Sequence, residues 1–399
     1  MRAALFAASV LSSTAFAANY SLVRTYQGSD FFDGWSYYNY YDNTTSGDVE
    51  YVNASYATSD KLAYVTDAGQ TVIKVDNTTF VPYNYKRDSV RITTDDYFEM
   101  GSVILFDAAH LPFGCSVWPS FWTKGQDWPA GGEIDILEAV NQMTYNQYAL
   151  HTNAGCNASS SATASGTIGT TDCNATAGCT YAEAKSDSYG SGFNSAGGGV
   201  WATLLDASGI SIWFWSRADI PSSISTANTS IDISDWGTPS ANYSSALCDI
   251  ETYFAAQQLV LDITLCGDWA GDLSTYTETC SIEGGGAGNA SSCYLQNVYN
   301  YGNTTALDDA YFLINYVKAF NVNSSLVTPS GSSSSISPTG TAALGTGGNS
   351  SGSSSGSASG STGTNSSSGS SSGAFADRLG VQFAVLAGGI GALAALILI

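Results

Sequence analysis

Glu133-Ile134-Asp135-Ile136-Leu137-Glu138 places three carboxylates in six positions of a chain in which only 12% of residues are charged. The run reads as a β-strand. Successive side chains on a strand point to opposite faces, so Glu133 and Asp135 share one face while Ile134 and Ile136 share the other. The acids then face a cleft or solvent, and the isoleucines a core. Strict alternation would send Glu138 to the isoleucine face. One extra residue, taken up as a β-bulge near Ile136-Leu137, returns Glu138 to the acidic face, and such bulges often re-aim side chains beside active sites.

A row of this kind suits glycoside hydrolysis, in which one carboxylate acts as nucleophile or base and a protonated carboxyl supplies the leaving group's proton. With the bulge, Glu133 and Glu138 stand about 13 Å apart at Cα, at ~3.3 Å per residue. Side chains leaning together on a curved strand bring the carboxyls to roughly 5–6 Å, the spacing of a retaining mechanism. Asp135, between them, can hydrogen-bond Glu133 and raise a neighbouring carboxyl's pKa.

Upstream, Trp118, Trp122 and Trp128 fall within a segment broken by Pro119, Gly125, Pro129, Gly131 and Gly132. Aromatic side chains on such loops offer flat surfaces to sugar rings. Trp118 reads equally well as core. Trp128, followed by Pro129 and two glycines, reads as a cleft residue. Downstream come Asn141 and His151, the latter one of two histidines.

The segment from Trp118 to Asn141, centred on Gly131 to Asn141, resembles glycoside hydrolase family 16, in particular its fungal endo-1,3(4)-β-glucanases. The family's bulged signature is Glu-x-Asp-x-x-Glu. Ser89-Val90-Arg91-Ile92, Gly209 to Phe214 and Leu265 to Gly271 also look like family segments, so the resemblance covers roughly residues 20–320. It implies Glu133 as nucleophile, Glu138 as acid/base and Asp135 as assisting acid. It also implies a glucan cleft lined by Trp122, Trp128, Asn141, His151 and Trp269. Chitin–glucan crosslinking enzymes share the fold but resemble the unbulged form, with one residue fewer before the second Glu.

Short β-branched runs bounded by turns, such as Val103-Ile104-Leu105-Phe106 and Leu259 to Thr264, with no long helical periodicity, indicate an all-β antiparallel sandwich of the jelly-roll, concanavalin A-like type. The carboxylate strand is expected on its concave sheet. The net charge of −22 and pI near 4.1 exclude a nucleic-acid partner, which needs basic patches. A neutral β-glucan polysaccharide needs no charge steering. No cofactor is expected. A structural calcium is compatible with such a fold, but no EF-hand-like loop marks a place for one.

The ends point to export. Residues 1–18 read as a secretory signal, with Ala15-Phe16-Ala17 at the cleavage site. Residues 19–325 form the catalytic domain, expected as a monomer. Residues 326–373 read as a disordered, O-glycosylated Ser/Gly/Thr stalk. Residues 374–399, ending in the apolar run Val381 to Ile399, read as a GPI-attachment signal, favoured over a transmembrane tail because no Lys or Arg follows the run. Localisation at the outer face of the plasma membrane or in the wall follows. Dense Asn-x-Ser/Thr sequons, including Asn43, Asn53, Asn77, Asn157, Asn174, Asn228, Asn242, Asn289, Asn303 and Asn323, fit a secreted glycoprotein.

Eight cysteines imply up to four disulfides. Short loops close most easily, so Cys173–Cys179, or Cys156 with one of those two, and Cys280–Cys293 are the expected pairs. Three functions remain on these grounds: an endo-acting retaining β-glucanase, a wall-remodelling β-glucan transglycosylase, and a glucan-binding protein without catalysis. Retention of both glutamates disfavours the last.

Overall fold

The computed structural model describes residues 19–299 and 304–328, all within the first of two units into which the chain divides, Met1–Ser333. The expected signal peptide, most of the stalk and the C-terminal signal lie outside the described residues. Residues 326–328, assigned by sequence to the start of the stalk, are held in place. Val327 pairs with Tyr97 as an antiparallel bridge, and the Thr328 hydroxyl donates to Asp96 at 2.7 Å.

Two antiparallel sheets make the jelly-roll sandwich. One has eight strands in the order Thr167–Ile168, Cys179–Ala182, Gln147–His151, Glu133–Glu138, Val117–Lys124, Gln258–Leu265, Arg91–Thr94 and Trp35–Tyr37. The other has nine and is built around Tyr311–Asn321, Ser102–His110, Gly199–Asp206 and Gly209–Ser216. A small third sheet, Tyr40–Tyr41, Val49–Tyr51 and Arg87–Ser89, contains a parallel pair.

Alternation sorts the eight-stranded sheet into two chemistries. From Val117–Lys124, Val117 and Phe121 enter the core; from Gln258–Leu265, Leu259, Leu261, Ile263 and Leu265 do the same. Phe121 stacks on Phe106 of the opposite sheet at 4.4 Å between ring centroids, which locates the core between the layers. Each such side chain, fully buried, contributes about 1.5–3 kcal/mol. The alternate residues Trp118, Ser120, Trp122 and Lys124 share the other face with Asp262 and Thr264. The nine-stranded sheet buries its outer face as well, under a cluster that includes Trp213, Trp215 and Trp236.

The disulfides are Cys115–Cys280, Cys156–Cys248, Cys173–Cys179 and Cys266–Cys293. Cys173–Cys179 agrees with expectation. Cys280–Cys293 and a Cys156 bridge to Cys173 or Cys179 do not form. Loop length favours near neighbours in the unfolded chain, but folding brings distant strand ends together. Cys115, just before one cleft strand, and Cys280, just after the helix Leu273–Thr279, meet across 165 residues. Removing this bridge (Cys115→Ser with Cys280→Ser) is expected to cost about 2–3 kcal/mol more than removing Cys173–Cys179, because it closes a much longer loop, partly shortened by Cys156–Cys248. Chemical denaturation of the two double variants checks this; equal losses would contradict it.

Candidate active site

The carboxylate strand carries the expected bulge. Against Val117–Lys124, Phe121 pairs with Leu137 and Trp122 with Asp135, leaving Ile136 as the extra residue. Against Gln147–His151, Asp135 pairs with Ala149 and Glu138 with Gln147, so two residues oppose one. Ile134, Ile136 and Leu137 all enter the core, and Glu133, Asp135 and Glu138 all line one cavity. Gly132, which leads into the strand, has φ +74° and would press a Cβ into the Phe254 ring, so only glycine fits there.

The cavity encloses about 360 Å³ and is walled by residues of four adjacent strands of the eight-stranded sheet, by Tyr51 of the small sheet and by two loops. Two indoles each bind one carboxylate: Trp118 Nε1 donates to Glu138 Oε1 at 2.8 Å, and Trp128 Nε1 donates to Glu133 Oε2. The Trp122 ring and Asp262 line the same cavity. Trp128 is 60% exposed, so its ring offers a face to a ligand while its N–H holds the acid. Arg91 lies over the Trp122 ring at 5.1 Å and the Tyr38 ring at 4.4 Å, with Nε 3.7 Å from Asp262.

Of the other residues expected in the cleft, His151 pairs with Glu133 across the strands and places Nε2 3.4 Å from Asp135 Oδ2. Trp269 stands behind the wall, edge-on to Trp118 at 5.5 Å. Asn141 does not reach the cavity. It is buried at φ +56°, accepts from the Ser116 amide at 2.8 Å and donates to the Ala270 carbonyl at 3.1 Å, so its amide is used in holding loops together. Arg91 and Asp262 were not expected from sequence as site residues, and Trp118, which read equally well as core, lines the cavity. Arg91 and Asp262 come from strands remote in the chain. Their signal was alternation, since each is the polar residue on the face opposite a core neighbour.

Electrostatics hold protons in the cluster. Burial, then the Asp135 charge, pushes Glu133 up to about 8. Burial takes Asp135 to about 7, against the lowering effect of its hydrogen bond with Glu133. Burial and the Asp135 charge raise Glu138 well above the usual range. With both carboxyls raised, the pair holds on to its protons until near neutral pH. Glu133, Asp135 and His151 also present atoms within 4.8 Å of one another, a spacing at which they could ligate a metal ion. The arrangement can supply a carboxylate nucleophile and a protonated carboxyl acid in one water-poor cleft.

Raised carboxyl pKa values mean that the folded state binds more protons than the unfolded chain. Stability present below pH about 4.5 is therefore lost as pH rises toward about 8. The Tm is expected to fall from pH 5 to 8, with a smaller fall in Glu133→Gln, which lacks one of the titrating groups. Scanning calorimetry at three pH values tests this, and a flat or rising wild-type Tm would contradict it.

Residues 35–320 match the model of the XgeA-like, catalytic GH16 domain. A probable endo-1,3(4)-β-glucanase of Neosartorya fischeri is 38% identical over 327 residues, covering 79% of this chain and 48% of the relative. A probable glycosidase of Schizosaccharomyces pombe is 40% identical over 262 residues, covering 64% of this chain and 61% of the relative. The chain thus spans about half the length of most of the curated relatives it matches. Among solved structures, laminarinase 16A of Phanerochaete chrysosporium with two β-glucans bound is 32% identical at a TM-score of 0.69, covering 76% of this chain and 100% of that one. An elongating family 16 β-1,3-glucosyltransferase is 36% identical with the same TM-score and coverage.

Proposed function

This chain belongs to glycoside hydrolase family 16, and on that premise we propose that it cleaves β-1,3- or mixed β-1,3/1,4-glucan internally with retention of configuration. The observation that carries this reading is the bulged row of Glu133, Asp135 and Glu138 on one face of a tryptophan-lined cavity.

In the first step Glu133 attacks the anomeric carbon while Glu138 protonates the departing glycosidic oxygen. In the second, Glu138 takes a proton from water, which releases the sugar from Glu133. Ionised Glu133 is the nucleophile, and the Trp128 N–H steadies its charge. Asp135 takes the proton when Glu133 ionises, and burial, the largest effect on Glu138, keeps that carboxyl protonated. The indole rings supply stacking surfaces for the sugars.

A second acceptor reading, transfer of the glucosyl group to another glucan, is favoured by the likeness to the elongating β-1,3-glucosyltransferase. The sequence of the two ends supports an enzyme exported and held at the cell surface through a GPI anchor, where wall glucan is the available substrate.

Incubating the secreted protein with laminarin and with mixed-linkage glucan, beside Glu133→Gln, tests the reading. Short β-configured products lost in the variant are expected. Products longer than the starting oligosaccharide would assign transfer. Tight glucan binding with no product from either would reduce the protein to a binder.

A further inference from the structure

The sequon Asn43-Thr44-Thr45 lies in the wall of the cavity, where all three residues line it. The loop that carries it is pinned. Asp42 accepts from the backbone amides of Thr44, Thr45 and Gly47 and from the hydroxyls of Thr44, Thr45 and Thr264, which holds its pKa at about 2. Thr264 is the cross-strand partner of Trp118, and Arg91 donates to Thr44 Oγ1 at 3.0 Å, so the loop is tied to the cleft face of the sheet.

Asn43 itself is exposed. Its Oδ1 accepts from the Tyr38 hydroxyl at 2.6 Å, which fixes the amide plane, and its Nδ2 donates to nothing among the described residues. Three other sequons differ. Nδ2 of Asn77 donates to Asp308, that of Asn174 to the Thr152 carbonyl and that of Asn242 to the Thr163 carbonyl. A sugar on those nitrogens would replace or distort a hydrogen bond, worth about 1 kcal/mol. At Asn43 it displaces none. None of the other described sequon asparagines lines the cavity.

We propose that Asn43 carries an N-linked glycan that forms part of the cleft wall and disfavours long glucan chains. The proposal rests on the secretory reading above. In the modification, Nδ2 attacks the anomeric carbon of a lipid-linked oligosaccharide pyrophosphate. An N–C bond forms, the C–O bond to phosphate breaks with its electron pair leaving on the pyrophosphate, and Nδ2 gives up one proton.

The Arg91 strand to which this loop is tied stands three strand steps from the carboxylates, about 14 Å at about 4.8 Å per step. A polymer reaching that far along the cleft meets the glycan. A short oligosaccharide held at the carboxylates does not. Built-in steric exclusion of this kind sets specificity through the rejected ligand.

The test secretes the full chain from a eukaryotic host and maps Asn43 by enzymatic deglycosylation in heavy-oxygen water with peptide mass spectrometry. The ratio of kcat/KM on laminarin to kcat/KM on a short laminari-oligosaccharide is then measured for wild type, for Asn43→Gln, and for both after endoglycosidase trimming. The expected results are an occupied Asn43 and a ratio about three- to tenfold higher in Asn43→Gln, with trimming narrowing the gap. An unmodified Asn43, or an occupied Asn43 with an unchanged ratio, overturns the proposal. A gap that trimming leaves intact also overturns it, because the side chain and not the glycan would then be responsible. A protein that cleaves no β-glucan would sink the functional reading and not this one. Occupancy, and laminarin affinity before and after trimming, decide it without turnover.

Discussion

Glu133→Gln is expected to lower kcat on laminarin by about four orders of magnitude or more. Gln is close to Glu in shape and its amide oxygen can keep the bond from Trp128 Nε1, so the cleft wall stays in place. What it lacks is the anionic oxygen that forms the glycosyl bond. Loss of a covalent nucleophile removes an interaction made at the reacting atom, so the effect should appear in kcat more than in substrate affinity. Initial rates from new reducing ends, with laminarin binding measured separately, separate the two. Residual activity above about one per cent would displace Glu133 from the nucleophile's role. Glu133→Ala with added azide provides the stereochemical check, because the anion enters from the vacated side and yields the α-glycosyl azide.

Glu138→Gln is expected to cost about 10³-fold on the polymer, within the range of general acid–base catalysis. Here the loss should depend on the leaving group. A β-glucoside bearing a nitrophenolate needs no proton to depart, so its first step should remain fast. The glycosyl-enzyme on Glu133 then accumulates, because water is no longer deprotonated for the second step. Intact-protein mass spectrometry would show the trapped sugar, and azide would release it as the β-glycosyl azide. An equal loss on activated and natural substrates would mean that Glu138 positions the site and does not transfer the proton. The Trp118 N–H remains satisfied in this variant by the amide oxygen of Gln, so the wall should again be undisturbed.

The placement of the carboxylate row was legible because strand alternation is a strong constraint. Three acids could share a face in only one way, and the bulge at Ile136 supplies it. The same rule could have picked out Arg91 and Asp262, but which strand lies beside which is not written in local pattern. Their neighbours are set by a sheet whose adjacent strands are far apart in the chain. Asn141 shows the opposite failure. Its closeness to Glu138 in sequence suggested the cleft, yet the strand ends at Glu138 and the chain turns away. Asn141 adopts a left-handed conformation in which its amide serves backbone groups. The Cys280 partner was missed for a related reason, since loop entropy describes the unfolded chain while the bridge depends on where the fold brings the strand ends.

The extra residue in the carboxylate strand works as a frameshift does in a message. Everything before it is read in one phase and everything after it in the other. Losing a single codon at Ile136 or Leu137 would remove one buried aliphatic side chain, change no charge and take the bulge with it. Strict alternation over the shortened Glu-x-Asp-x-Glu run would then keep the last acid on the cleft face. Gaining one more residue without a second bulge would instead read Glu138 into the core. Length and bulge at this point are therefore inherited together, while the aliphatic residues that fill the strand are freer to change.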